Sequence, residues 1–134
     1  MAQEPAAGDG WAVADLDALG DGPGFRKVRR ALGVTAFGVN AVVLPPGHTS
    51  IRHYHERQQE LYLVLRGRIE FEFGDGERRT LGPGGLARVD APVVRRLRNV
   101  SDAEEAMYFC VGAADGYVGR DGRRPDDEPP AGGR

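Results

Sequence analysis

The sequence predicts an all-β fold, an antiparallel sandwich or barrel, and three observations carry that prediction. From Phe25 to Val111, glycine and proline punctuate the chain about every eight to twelve residues, the interval at which the strands of such folds turn. The runs between these breaks are β-branched, aromatic or alternating, as a pleated and half-buried surface requires. No long amphipathic helix interrupts them, which excludes the β-α-β pattern of a parallel sheet.

Taken in order, residues 1–10 and roughly 119–134 are rich in Pro, Gly, Asp, Glu and Arg with few apolar anchors. They read as disordered tails. Residues 11–20 (WAVADLDALG) have apolar positions at helical spacing, and fit either a short helix or an extended arm lying on the main body. Strands are expected at 37–44 (FGVNAVVL), 51–55, 59–66 (QELYLVLR), 85–89, 93–99 (VVRRLRN) and 104–111. The clearest is RIEFEF at 68–73, where Ile69, Phe71 and Phe73 face a core while Arg68, Glu70 and Glu72 face water. GDGE at 74–77 then has the chemistry of a hairpin turn. In ELYLVL and AMYFCV both faces are apolar, so a second layer or a partner subunit covers the outer face. The domain reading is an N-terminal arm over 1–24, partly disordered, one β-domain over 25–114, and a mostly disordered tail over 115–134.

Bulk properties narrow the function classes. A chain of 134 residues suits one domain with a core that needs no staples. Its single cysteine, Cys110, excludes an intrachain disulfide and agrees with a reducing, cytoplasmic setting. Lying in AMYFCV, Cys110 reads as an inert buried thiol rather than a nucleophile. Apolar runs are too short to span a membrane, and the first ten residues lack the pattern of a signal peptide. Residues 25–111 carry 14 basic and 10 acidic side chains within a net charge of −2. The paired arginines at 29/30, 78/79, 95/96 and 123/124 are scattered among acids without a nucleic-acid-binding motif, so no nucleic-acid partner is expected.

The chemistry concentrates in one segment. All three histidines, His48, His53 and His55, fall within eight residues, in the pattern Gly47-(5)-His53-Tyr54-His55-(4)-Glu60-(6)-Gly67. On a strand His53 and His55 point one way and Tyr54 the other. Two imidazoles on one face, with a carboxylate arriving from the next strand, match what a divalent transition metal asks of a protein.

This pattern resembles the first motif of the cupins, small jelly-roll β-barrels, at every defined position, and the resemblance covers about 37–111. The family's second motif supplies one further ligand histidine, four residues before an asparagine. Here it reads GGLARVDAPVVRRLRN, from Gly84 to Asn99, and Arg95 stands where the histidine is expected. Alternation turns Arg95 into the barrel and leaves Arg96 and Arg98 solvated. A guanidinium has no lone pair to donate, so the ligand set that remains is His53, His55 and Glu60. The resemblance implies a small-molecule site in the barrel, a divalent metal (Fe, Mn, Ni or Zn) and a homodimer paired through its sheets.

Two roles for Arg95 stand open: a two-pronged anchor for an anionic substrate beside the metal, or a replacement for the metal through a Glu60–Arg95 pair. His53, Arg95 and Tyr62 are the candidate catalytic residues. Arg95, Tyr62 and Asn40 are the candidate substrate contacts. Tyr62 shares a face with Glu60, and serves as pocket wall or as a buried ring with a satisfied hydroxyl. Asn40 marks a pocket wall or an edge position. His48 reads as a surface-loop residue, Gln58 and Gln59 as structural hydrogen-bonding residues, and Asp115-Gly116-Tyr117 as a plain turn rather than a lid. Three functions follow: an oxygenase using the triad's open coordination positions, a metal-free isomerase, epimerase or lyase, and a non-catalytic binding module.

Overall fold

In a computed structural model of the chain, residues 2–125 are described. The elements are β1 (Ala6–Gly8), β2 (Trp11–Val13), β3 (Gly24–Arg26), α1 (Val28–Leu32), β4 (Gly38–Leu44), β5 (Tyr54–His55) and β6 (Gln59–Arg66). They continue through β7 (Ile69–Phe73), β8 (Arg78–Leu81), β9 (Leu86–Val89), β10 (Arg95–Asn99), β11 (Ala106–Ala113) and β12 (Gly122–Arg123). A five-stranded sheet in the order β3-β4-β11-β6-β9 faces a three-stranded sheet in the order β10-β7-β8, with antiparallel pairing throughout. This is the antiparallel sandwich that alternation and turn spacing predict, in the jelly-roll form that the resemblance implies.

The core lies between the sheets, because alternate residues of each strand point inward. Val42 and Leu44 of β4, Tyr62 and Val64 of β6 and Tyr108 of β11 meet Ile69, Phe71 and Leu97 from the opposite sheet. Tyr62 and Phe71 touch edge to face with ring centroids 5.4 Å apart. Burying side chains of this kind is worth roughly 1.5–3 kcal/mol each. Gly67, at φ 73°, makes the turn from β6 into β7, and a Cβ there would meet Ala106 Cβ at 2.8 Å. Only glycine satisfies both demands at this position.

The outward residues of β7 and β10 form a charge ladder. Glu72 pairs with Arg78 and Arg96, and Glu70 with Arg98. The outer face of the larger sheet is covered in part from within the chain. Leu16, in a single 3-10 turn at Leu16–Ala18, packs on Ala41, Val43 and Met107. Leu61 and Leu86 of the same sheet stay exposed, at 47% and 62%.

Several elements differ from the sequence reading. Residues 6–8 pair with 11–13 in a hairpin although 1–10 are expected as a disordered tail, and 11–20 take the extended-arm alternative, as β2 and the 3-10 turn, rather than the short helix. The 51–55 strand shortens to β5, with His53 joined to Arg95 by an isolated bridge. From Tyr117 to Arg123 the chain lies against the barrel, and β12 pairs with β5. Residues 119–125 of the expected tail are therefore part of the folded structure, and the remainder, 126–134, falls outside the described residues.

Candidate functional site

The first-motif residues reach one place by two routes. The backbone of His53 is paired to that of Arg95, by amide-to-carbonyl bonds of 3.0 and 2.8 Å, which ties the 49–55 segment along β10. Glu60 enters from β6, where strand alternation puts it on the inner face two residues before Tyr62. The outcome is a group in which the ligand atoms of His53, His55 and Glu60 all lie within 4.8 Å of one another. His53 and His55 are buried, their rings 5.2 Å apart and edge to face.

Glu60 has four polar neighbours. Its Oε1 accepts the Tyr62 hydroxyl at 2.6 Å and Nη2 of Arg95 at 3.3 Å, and lies 3.2 Å from His55 Nε2. Its Oε2 accepts the Cys110 thiol at 3.3 Å. Burial alone pushes this carboxyl up, but His55, the Tyr62 hydroxyl and the Arg95 guanidinium together outweigh it and hold it well below its ordinary 4.5. The ligand is thus ionised before any cation arrives, as metal binding requires. Burial, reinforced by the Glu60 charge, pushes the Tyr62 hydroxyl well above its ordinary 10. Tyr62 is therefore a standing donor that orients Glu60.

The donor set fits a divalent ion. With metal–ligand bonds of about 2.0–2.2 Å, neighbouring ligand atoms stand roughly 3–3.5 Å apart. His55 Nε2 and Glu60 Oε1 already have that separation, and His55 Nε2 is buried with no hydrogen bond of its own. The opposite ring nitrogen, His55 Nδ1, meets Nε2 of the Gln58 carboxamide at 2.9 Å. A carboxamide offers a donor on one side and an acceptor on the other. With its nitrogen on Nδ1 the imidazole proton sits at Nε2, and with its oxygen there Nε2 presents a lone pair. Gly112 leaves room for this side chain, since a Cβ at that position would stand 2.7 Å from Gln58 Oε1.

Asp121 holds Gln58 in place. Its Oδ2 accepts the backbone N–H groups of Arg57 and Gln58, each at 2.9 Å, and lies 3.7 Å from His55 Nδ1. Asp121 is itself buried. Burial pushes its carboxyl up, but the N–H groups of Gln58 and Arg57 and the neighbouring His55 outweigh this and lower it from 3.8. Replacing Asp121 with Ala leaves the buried Gln58 N–H and the part-buried Arg57 N–H unpaired, a loss of about 1–3 kcal/mol. Urea unfolding at neutral pH should show that loss, with faster hydrogen exchange confined to the amides of Arg57 and Gln58. Both Glu60 and Asp121 ionise more readily folded than unfolded. The stability each contributes is complete above its ordinary value and is lost as pH falls toward the folded one. Acid unfolding of the metal-free protein should therefore begin at a higher pH, and be shallower, in Asp121→Asn.

A cavity of about 270 Å³ opens beside the group. His55, Gln58, Glu60, Cys110 and Asn40 line its buried end. Asn40 thus belongs to the pocket wall, on a strand flanked by neighbours on both sides. Arg95, Tyr62 and His53 do not line it. Arg95 is fully buried and its Nη1 donates to the Val93 and Ala91 carbonyls, at 2.7 and 3.4 Å, while Nη2 is committed to Glu60. The anchoring role for an anionic substrate is therefore not the one its geometry provides. Arg95 braces Glu60 from behind. His48 lies in an exposed loop, Gln59 bonds Asp90, and Tyr117 lines the cavity beyond the expected plain turn. Cys110 is half-buried at the pocket rather than sealed in the core.

Sequence reasoning missed Gln58 as the partner of His55, and missed Asp121 altogether. Gln58 is three residues from His55 and carries a recognisable signal, a carboxamide beside a ligand pair. Asp121 has none.

Known proteins extend the picture. A curated relative, the polyketide synthase CurC of Streptomyces cyaneus, is 31% identical over 78 residues, 58% of this chain and 50% of that protein. The chain thus spans half the length of that relative. A solved sugar phosphate isomerase of the cupin superfamily from Silicibacter pomeroyi is 25% identical, with a TM-score of 0.64 over 94% of this chain and 77% of that one. A cupin protein from Bacteroides fragilis shares the fold at 23% identity and a TM-score of 0.61, over 72% of this chain and 79% of its own. The model of the family described as the cupin domain matches residues 40–112, which contain the whole His53–His55–Glu60 group and Arg95. With more than half of its residues inside that match and the double sheet around them, the chain belongs to the cupin domain family.

Proposed function

We propose that this protein is a metal-dependent enzyme that acts on a small organic molecule inside its barrel, with oxygenation as its reaction class. The observation that carries the reading is the placement of His55 and Glu60. Two members of a three-donor group face a cavity of about 270 Å³, and the third, His53, closes the group from behind. His53, His55 and Glu60 would hold a divalent ion, which would supply the chemistry of O₂ activation beside the cavity.

The chain's own residues supply the rest. Tyr62 and Arg95 keep Glu60 ionised and fixed in direction. Gln58, held by Asp121, selects which nitrogen of His55 carries the proton. Asn40 and Gln58 present amide groups that orient a bound molecule at the buried end. The cavity lies just below the range of about 300–1,000 Å³ typical of sites for drug-sized ligands, which suits a small substrate. Oxygen uptake on screening small organic acids tests the reading. It should require added iron or manganese and vanish in His53→Ala/His55→Ala; uptake that ignores both changes contradicts it.

One observation favours a second reading, a metal-free isomerase, epimerase or lyase. Glu60 Oε1 already has Tyr62, Arg95 and His55 around it, so this carboxylate has its charge balanced without an ion. In that case His55 is the general base facing the pocket. Solvent deuterium would then enter the substrate with or without a chelator. As part of the proposal, a homodimer would cover Leu61 and Leu86, the apolar residues that the N-terminal arm leaves exposed.

A further inference from the structure

The cavity holds four cations that the proposed chemistry at its buried end does not use. Lys27, Arg29, Arg30 and Arg120 line its exposed end. They come from the α1 region and from the segment after β11, so they converge only in the folded chain. None has a carboxylate within ion-pair distance among the described residues. Among the described residues Glu60 is the one acidic residue on the cavity lining, and it is engaged by Arg95 and Tyr62. The Arg29 guanidinium lies 4.1 Å above the Tyr117 ring. Stacking of this kind fixes the plane of the group while leaving its N–H edges directed outward.

We propose that this exposed end is an oxyanion subsite, which takes the carboxylate or phosphate group of a small organic substrate whose body reaches inward past Phe25 toward His55 and Glu60. The proposal deepens the reading above and rests on the same cavity being the substrate site. It also moves the anion from Arg95, whose terminal nitrogens are already committed, to side chains with donors to offer. Guanidinium and ammonium groups bind such oxyanions by charge-assisted hydrogen bonds, and a partly enclosed cluster gathers field that a single exposed charge does not.

The test uses the full chain stripped of metal with a chelator, titrated with benzoate, inorganic phosphate and neutral benzamide by calorimetry and by amide chemical shifts. At least one anion should bind, benzamide should bind more weakly, and affinity should fall as salt rises. Preference for benzoate identifies a carboxylate subsite, and preference for phosphate a phosphate subsite. In Arg29→Gln/Arg120→Gln the favoured anion should bind about tenfold more weakly or worse. Should that variant lose stability with the Arg29–Tyr117 stack, Lys27→Gln/Arg30→Gln removes two exposed charges and should show the same direction. Benzamide binding as tightly as benzoate, unchanged affinity in both folded variants, or no binding of either anion overturns the proposal. Because no metal is present, a protein that binds benzoate yet never loads an ion overturns the metal reading and leaves the subsite standing.

Discussion

Replacing Glu60 with Leu should destabilise the protein by about 3–5 kcal/mol, and adding Arg95→Met should recover most of that loss. Arg95 is fully buried, and Glu60 is its only carboxylate partner among the described residues. Without it a full positive charge stays in the core with only the carbonyls of Val93 and Ala91 to receive it. Removing both charges instead leaves an apolar pair of similar volume, a change that is close to neutral in other buried ion pairs. The cycle is read by chemical unfolding of Glu60→Leu, Arg95→Met and the double variant, all in chelator. If the double variant were as unstable as Glu60→Leu, the brace between these residues would not be what holds Glu60.

The second large effect concerns affinity. Arg95→His should raise the affinity for a divalent ion by tenfold to a hundredfold, about 1.4–2.8 kcal/mol. Two changes act together: a permanent positive charge leaves the neighbourhood of a dication, and an imidazole able to donate a lone pair arrives at the inner face of β10. The Coulomb term alone amounts to several kcal/mol at an effective dielectric of 20, and the Glu60 charge between the two cations screens much of it. Competition against a coloured chelator measures the change. Equal affinity in wild type and variant would mean that residue 95 does not face the ligand group.

Much of this site is legible in the sequence because its logic is local. Strand alternation places Glu60 with Tyr62 and turns Arg95 inward, and both hold to the level of individual hydrogen bonds. The same alternation sets Arg96 and Arg98 outward, where they meet Glu72 and Glu70. What is not legible depends on distant segments meeting. Asp121 reaches the Gln58 amide across 63 residues, from a stretch whose Gly, Asp and Arg content is that of a tail. The mouth cations likewise converge from two regions that no periodicity connects. β8 escapes notice because RRTL has no apolar alternation and is held by pairing to β7. α1 is five residues long and ends at Gly33, too short for a helical pattern to show. The partners of a buried charge are also hard to foresee: alternation puts Arg95 inside the barrel, yet only the structure shows its terminal nitrogens engaged by Glu60 and two carbonyls.

The account turns on whether His53, His55 and Glu60 hold an ion with Arg95 beside them. Elemental analysis of the purified protein, before and after reconstitution with Fe, Mn, Ni and Zn, addresses this directly. The account predicts close to one equivalent of a divalent metal per chain in the wild type and none in a folded His53→Ala/His55→Ala variant. A wild-type protein that holds no metal after reconstitution, or a variant that keeps it, would contradict the account.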